Sequence, residues 1–159
     1  MNVESLDPYI EKVWDELAIH SACYLIPKDS GIKTALARCF ANLFFSEADN
    51  AYVYIDEWGV WPSSENLDLF YGYRNSKGEN RLISEAPFHF FDKEELGPFI
   101  SILGTAFYFV WNATVIRSDQ RCILKVSHDE WIEIRTEDES AFKEYTDAME
   151  YFGLKQIQK

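Results

Sequence analysis

The sequence predicts an α+β fold, a mostly antiparallel sheet with about five helices packed against it. Three observations carry that reading. Three strand-like runs, about Ala106 to Ile116, Arg121 to Val126 and Glu130 to Arg135, are joined by connections so short that only antiparallel pairing fits them. Helical and strand patterns follow one another without the regular alternation that a parallel sheet requires. Finally, 12 Phe, 9 Tyr and 5 Trp among 159 residues supply a large core without disulfides or a structural metal.

Taken in order, Asp7 and Pro8 read as an N-cap and first helical position. Ile10, Val13, Trp14 and Leu17 then recur at helical spacing, so a first helix is expected from about Pro8 to His20. Ala22 to Ile26 is a short apolar run ended by Pro27, consistent with a strand. Asp29 or Ser30 opens a second helix whose inner face is Ile32, Leu36, Cys39, Phe40 and Leu43. Ala51 to Ile55, rich in β-branched and aromatic residues after Asp49-Asn50, reads as a strand. A third helix is expected after Ser63, with Leu67, Phe70, Tyr71 and Arg74 at helical spacing and Gly78 beyond, although Leu67, Leu69, Tyr71 and Tyr73 also alternate as a strand would.

Phe91 to Leu96 is the sharpest local signal. Asp92 caps, Glu95 reaches back, Phe91 staples onto Leu96, and Phe99, Ile100 and Leu103 continue the buried stripe. After the three strand-like runs, a last helix carries Phe142, Tyr145, Met149 and Phe152 on one face and ends at Gly153. No repeat, low-complexity segment or linker divides the chain, so one domain over residues 1–159 is expected.

The formal charge of −12, from 27 acidic and 15 basic residues, argues against nucleic acid and anionic membrane surfaces as partners. It suits a basic protein partner. The longest apolar run, Phe99 to Trp111, is too short for a membrane span and is interrupted by Gly104 and Thr105. Met1-Asn2-Val3-Glu4 lacks the features of a secretory signal, and a cytoplasmic location is the expectation. Cys23, Cys39 and Cys122 have neither disulfide-framework nor zinc spacing and read as buried thiols. No cofactor or metal is expected.

Few motifs carry chemistry. Lys28 to Thr34 lies between a strand and a helix, but Ile26 stands where a phosphate-binding loop needs Gly, and Ile32 separates Gly31 from Lys33. His128-Asp129-Glu130 is the densest titratable cluster and is expected on an exposed turn. His20 is expected at the end of the first helix, and His89, among Phe88, Phe90 and Phe91, as a core or boundary residue. The stretch from Trp58 to Arg81 gathers Trp58, Trp61, Glu65, Tyr71 and Arg74. That mixture of aromatic, acidic and cationic groups is shared by ligand pockets and protein hot spots, and equally by a core edge.

Acidic residues cluster in two segments: six carboxylates and no Lys or Arg from Glu47 to Tyr73, and nine against two basic residues from Asp129 to Glu150. Meeting on one face, they would make a negative patch that attracts a cationic surface. The tripeptide Asp-Glu-Trp occurs in both, at 56–58 and 129–131. The leading expectation is therefore an acidic protein-interaction module, an inhibitor or immunity-type protein by analogy of size and charge. Its binding residues would be Trp58, Trp61, Glu65, Tyr71, Arg74, Asp129 and Glu130. The alternatives are a small hydrolase working through Glu65, His89, His128, Asp129 or Glu130, and a small-molecule sensor with a pocket of Trp58, Trp61 and Tyr71.

Overall fold

The computed structural model describes residues 12–15, 17, 20–46, 48–55, 64–81, 85–86 and 88–158, with only the backbone of 64–67. Along the chain run β1 (His20–Leu25), α1 (Ser30–Ser46), β2 (Asn50–Ile55), α2 (Ser64–Ser76) and β3 (Phe88–Asp92). They are followed by a 3-10 turn (Lys93–Glu95), α3 (Leu96–Phe109), β4 (Ala113–Arg117), β5 (Cys122–Ser127), β6 (Trp131–Thr136), α4 (Glu139–Tyr151) and β7 (Gln156–Ile157). The strands form a single sheet in the order β3-β2-β4-β5-β6-β1-β7. Every neighbouring pair is antiparallel. The fold class is α+β, as the sequence predicts.

Period-2 alternation sorts side chains to the two sheet faces. Ala22, Tyr24, Val53, Ile55, Val115, Leu124, Val126, Ile132 and Ile134 point to the first face, where they meet the buried residues of α1, α3 and α4. Rings dominate that core. Phe40 of α1 lies 5.7 Å from Tyr145 of α4 and 6.0 Å from Phe107 of α3, and Phe99 stands edge-on to Phe45 at 5.0 Å and to Phe91 at 5.6 Å. On the opposite face Tyr54, Ile116 and Ile123 pack with Val13 and Leu17, which cover part of a surface that α1, α2, α3 and α4 leave open.

Local chemistry sets the helix ends. Asp29 Oδ1 accepts from the Ile32 amide at 2.9 Å and caps α1. Asp92 accepts from the Glu94 and Glu95 amides, while Glu95 reaches back to the Asp92 amide, completing the expected capping box. Asp138 caps α4 through the Ser140 and Ala141 amides, which hold its carboxyl below the usual range. Gly153 follows α4 at φ 69°.

Four expectations need correction. His20 does not end a helix; it is the first residue of β1, paired with Thr136. Ala106 to Phe109 belong to α3, not to a strand, because Phe99, Ile102, Leu103, Ala106 and Phe107 form one continuous helical stripe. The helix continues through Gly104, where an added Cβ would lie an ordinary 3.7 Å from the Ala37 methyl of α1. It stops at Val110, in the left-handed conformation at φ 56°. The strands β3 and β7 are additional. β3 is apolar on both faces, so its sequence shows no alternation, and β7 has only two residues.

Candidate functional site

Of the sequence-predicted site residues, Tyr71 and Arg74 lie on α2, and Asp129 and Glu130 lie in the turn between β5 and β6. Trp58 and Trp61 lie outside the described residues, as does the side chain of Glu65, whose backbone is in the first turn of α2. Tyr71 is half-buried on the same helix. Arg74, expected as a binding cation, is instead fully buried: its Nη2 donates to the Ala86 carbonyl at 3.1 Å, and its guanidinium lies 5.8 Å from the Phe70 ring and 6.0 Å from Tyr71. That environment ties α2 to the segment leading into β3. Tyr73 adds a second tie, donating to the Pro98 carbonyl at 3.0 Å; burial, reinforced by the Glu95 charge, pushes its phenol up to about 12. Arg81 is engaged by Glu79, whose carboxyl these bonds hold down at about 2.

His89 occupies the boundary position expected of it, edge-on to Phe70 at 5.6 Å and near Phe91 at 6.3 Å. Burial, together with the Arg74 charge, lowers its pKa to about 4, so the imidazole is neutral at physiological pH. His128, Asp129 and Glu130 form the β5–β6 turn as expected. Glu130 takes the left-handed conformation at φ 64°, and its carbonyl accepts from the Ile26 amide at 2.8 Å. His128 is held by Asn112, whose Oδ1 accepts from the His128 amide at 2.7 Å and lies 3.0 Å from Nδ1; Asp129 stands 3.5 Å from Nε2. His89 is on β3, three strand spacings (about 14 Å) from β5, so the two histidines do not share a site. Among the described residues, no three His, Cys, Asp or Glu side chains converge as metal ligands.

Lys33, in the first turn of α1, donates to the Tyr108 carbonyl at 3.3 Å and so satisfies the C-terminal end of α3. Burial lowers its pKa, with Glu130 opposing. The three cysteines form no disulfide. Cys23 and Cys122 are buried, and Cys39 is half-buried, its thiol pKa raised by that burial. None of the described helices is long and apolar enough to cross a membrane.

The two acidic segments stay apart among the described residues. In the first, Asp49 pairs with Lys93 at 2.6 Å and Asp68 is exposed. In the second, Glu133 is buried beside Arg135 at 2.8 Å, and Asp138 is spent on its cap. Most of the rest lie on α4, which packs over β6 and β1, whereas Asp49 immediately precedes β2, three strand spacings from β6. The hydrophobic positions Ala141, Tyr145 and Met149 turn one side of α4 into the core. Glu139, Glu144, Asp147 and Glu150 are thereby turned outward, with Lys143, bound to Asp147, as the only exposed cation of that helix.

Two features of this helix are unfavourable or neutral for folding. Its last turn carries no basic residue, and Glu150 lies at the negative end of the helix dipole, where a cation would be the stabilising choice. Burial raises the Tyr24 phenol, and the Glu150 charge adds to that shift, so the carboxylate acts on its surroundings as well. Tyr151, next in sequence, is 85% exposed, the most open large hydrophobic residue of the chain among those described. The 3.6-residue period made the outward carboxylates legible in the sequence; Tyr151 carried no signal and was missed. No family model, curated protein or solved structure matches this chain.

Proposed function

We propose that the chain is a protein-interaction module that docks a basic protein surface on the outward face of α4, neutralising or escorting that partner as an immunity-type inhibitor does. One observation carries the reading. Four carboxylates, Glu139, Glu144, Asp147 and Glu150, stand on one exposed helix face beside an 85% exposed Tyr151, and Glu150 is placed against the helix dipole. Carboxylates in such an array raise encounter rates with a cationic surface, and an exposed tyrosine supplies the apolar contact that holds the complex once formed.

The test is affinity capture from the source cells with two baits, the natural chain and a Glu139→Lys, Glu144→Lys, Glu150→Lys variant. A basic protein retained by the first bait and lost with the second supports the reading. A partner retained equally by both contradicts it.

A further inference from the structure

The sheet face opposite the four helices carries a second feature, a cleft of about 620 Å³ over β5, β6, β1 and β7. That volume is within the range of small-molecule sites. Its floor follows from strand register: Lys125, Glu133, Cys23 and Ile157 are successive neighbours across four strands, with Arg135 and Ser21 paired in the next row. Trp131 begins β6 on the same face, and Trp14 leans over the cations from residues 12–15.

The charge of this cleft is opposite to that of the chain. In a molecule of net charge −12, it collects Lys125 and Arg135 against one carboxylate among the described residues, Glu133, which is buried and bonded to Arg135 Nε at 2.8 Å. Lys125 faces Glu133 in register, yet among the described residues no carboxylate lies within ion-pair distance of its ammonium, which stands 5.4 Å from the centre of the Trp14 ring. Arg135 donates through Nη1 to the Trp14 carbonyl at 3.0 Å and through Nε to Glu133. Among the described residues, three of the five guanidinium N–H groups, on Nη1 and Nη2, have no hydrogen-bond partner and can meet a ligand.

We infer that this cleft binds a small planar aromatic carboxylate, its ring against Trp131 and Trp14 and its anionic group between the Lys125 ammonium and the outer guanidinium edge of Arg135. Each part follows from the chemistry of the lining. Half-buried indoles favour a flat apolar frame, and a guanidinium edge with an ammonium beside it favours a carboxylate. The cleft lies on β6 and β1 behind the strands that α4 covers, so this site is separate from the acidic helix face and stands or falls independently of it.

The experiment is an NMR titration of the full chain with indole-3-acetate, following the five tryptophan indole N–H signals. Trp131→Phe identifies one of them. Saturable shifts are expected in two signals, that of Trp131 and one other, with indole-3-acetamide binding at least about ten-fold more weakly because the charge is gone. Lys125→Met should weaken the carboxylate by about ten-fold, and Lys125→Arg should retain it. The inference is overturned by any of four results: no saturable shift, equal affinity for the amide, undiminished binding by Lys125→Met, or inorganic phosphate competing as well as the aromatic carboxylate. The amide comparison needs no substitution and keeps the test decisive should a variant fold poorly.

Discussion

The Arg135 guanidinium lies 3.8 Å from the centroid of the Trp14 ring and donates to the carbonyl of the same residue at 3.0 Å. Through this pair a segment at one end of the chain is fastened to β6, 121 residues away in sequence. Cation–π contacts contribute about 0.5–2 kcal/mol, more as they are shielded from water. Trp14→Leu and Arg135→Lys should each destabilise the chain in urea, and the double variant should lose about 1 kcal/mol less than the sum of the two. Strict additivity would mean that the pair is a bystander.

His89 gives stability a pH dependence of known sign. Its folded pKa, about 4, lies below the ordinary 6.5, so between those values the unfolded chain binds a proton that the folded chain refuses. The full contribution is present above about pH 6.5 and is lost as pH falls toward 4, on the order of 2 kcal/mol after allowing for partial exposure. Replacing it with Phe, which suits the Phe70 and Phe91 rings, should flatten this part of the curve. Equal slopes for the two proteins between pH 4 and 6.5 would remove His89 as the cause.

Gly104 separates two effects of side-chain size. A methyl there meets Ala37 at an ordinary 3.7 Å, so Gly104→Ala should gain about 0.5–1 kcal/mol from helix propensity. Gly104→Leu should overfill the α1–α3 contact and cost about 1–3 kcal/mol. Thermal melts of both variants check this, and a destabilised Ala variant would show that the helices are closer than described.

Glu150 should trade stability against binding. Its reversal, Glu150→Lys, places a cation at the C-terminal end of α4 and is expected to stabilise the fold by about 0.3–1 kcal/mol. The same change should weaken partner capture. A variant that loses stability, or gains it with binding intact, would show that the carboxylate has no part in the interface.

Much of the fold was legible because local chemistry and periodicity agreed. Asp92 with Glu95 announced a helix start, Phe142, Tyr145 and Met149 announced the inner face of α4, and the short connections at 117–120 and 127–129 announced antiparallel strands. Failure came where tertiary packing overrode local cues. Gly104 resembles a breaker, yet α3 runs through it because its buried stripe continues on both sides, and Val110 ends α3 without a glycine. His89 and its neighbours form a strand only because β2 offers an edge to pair with.

Sites were less legible than folds. The alternation of Trp131, Glu133 and Arg135 with Ile132 and Ile134 was a readable sign that the first three share a sheet face. That Lys125 and Trp14 join them depends on pairing and on a contact spanning most of the chain. Arg74 shows the reverse: an arginine beside tyrosines resembles a binding cation, yet its helix turns it fully inward.

The most direct measurement of the proposed function is the association rate of the captured partner as a function of ionic strength. An acidic α4 face predicts a rate that falls at least about ten-fold between low and high salt, and a much shallower fall for the Glu139→Lys, Glu144→Lys, Glu150→Lys variant. A rate indifferent to salt, or a variant with the same dependence as the natural chain, would contradict it.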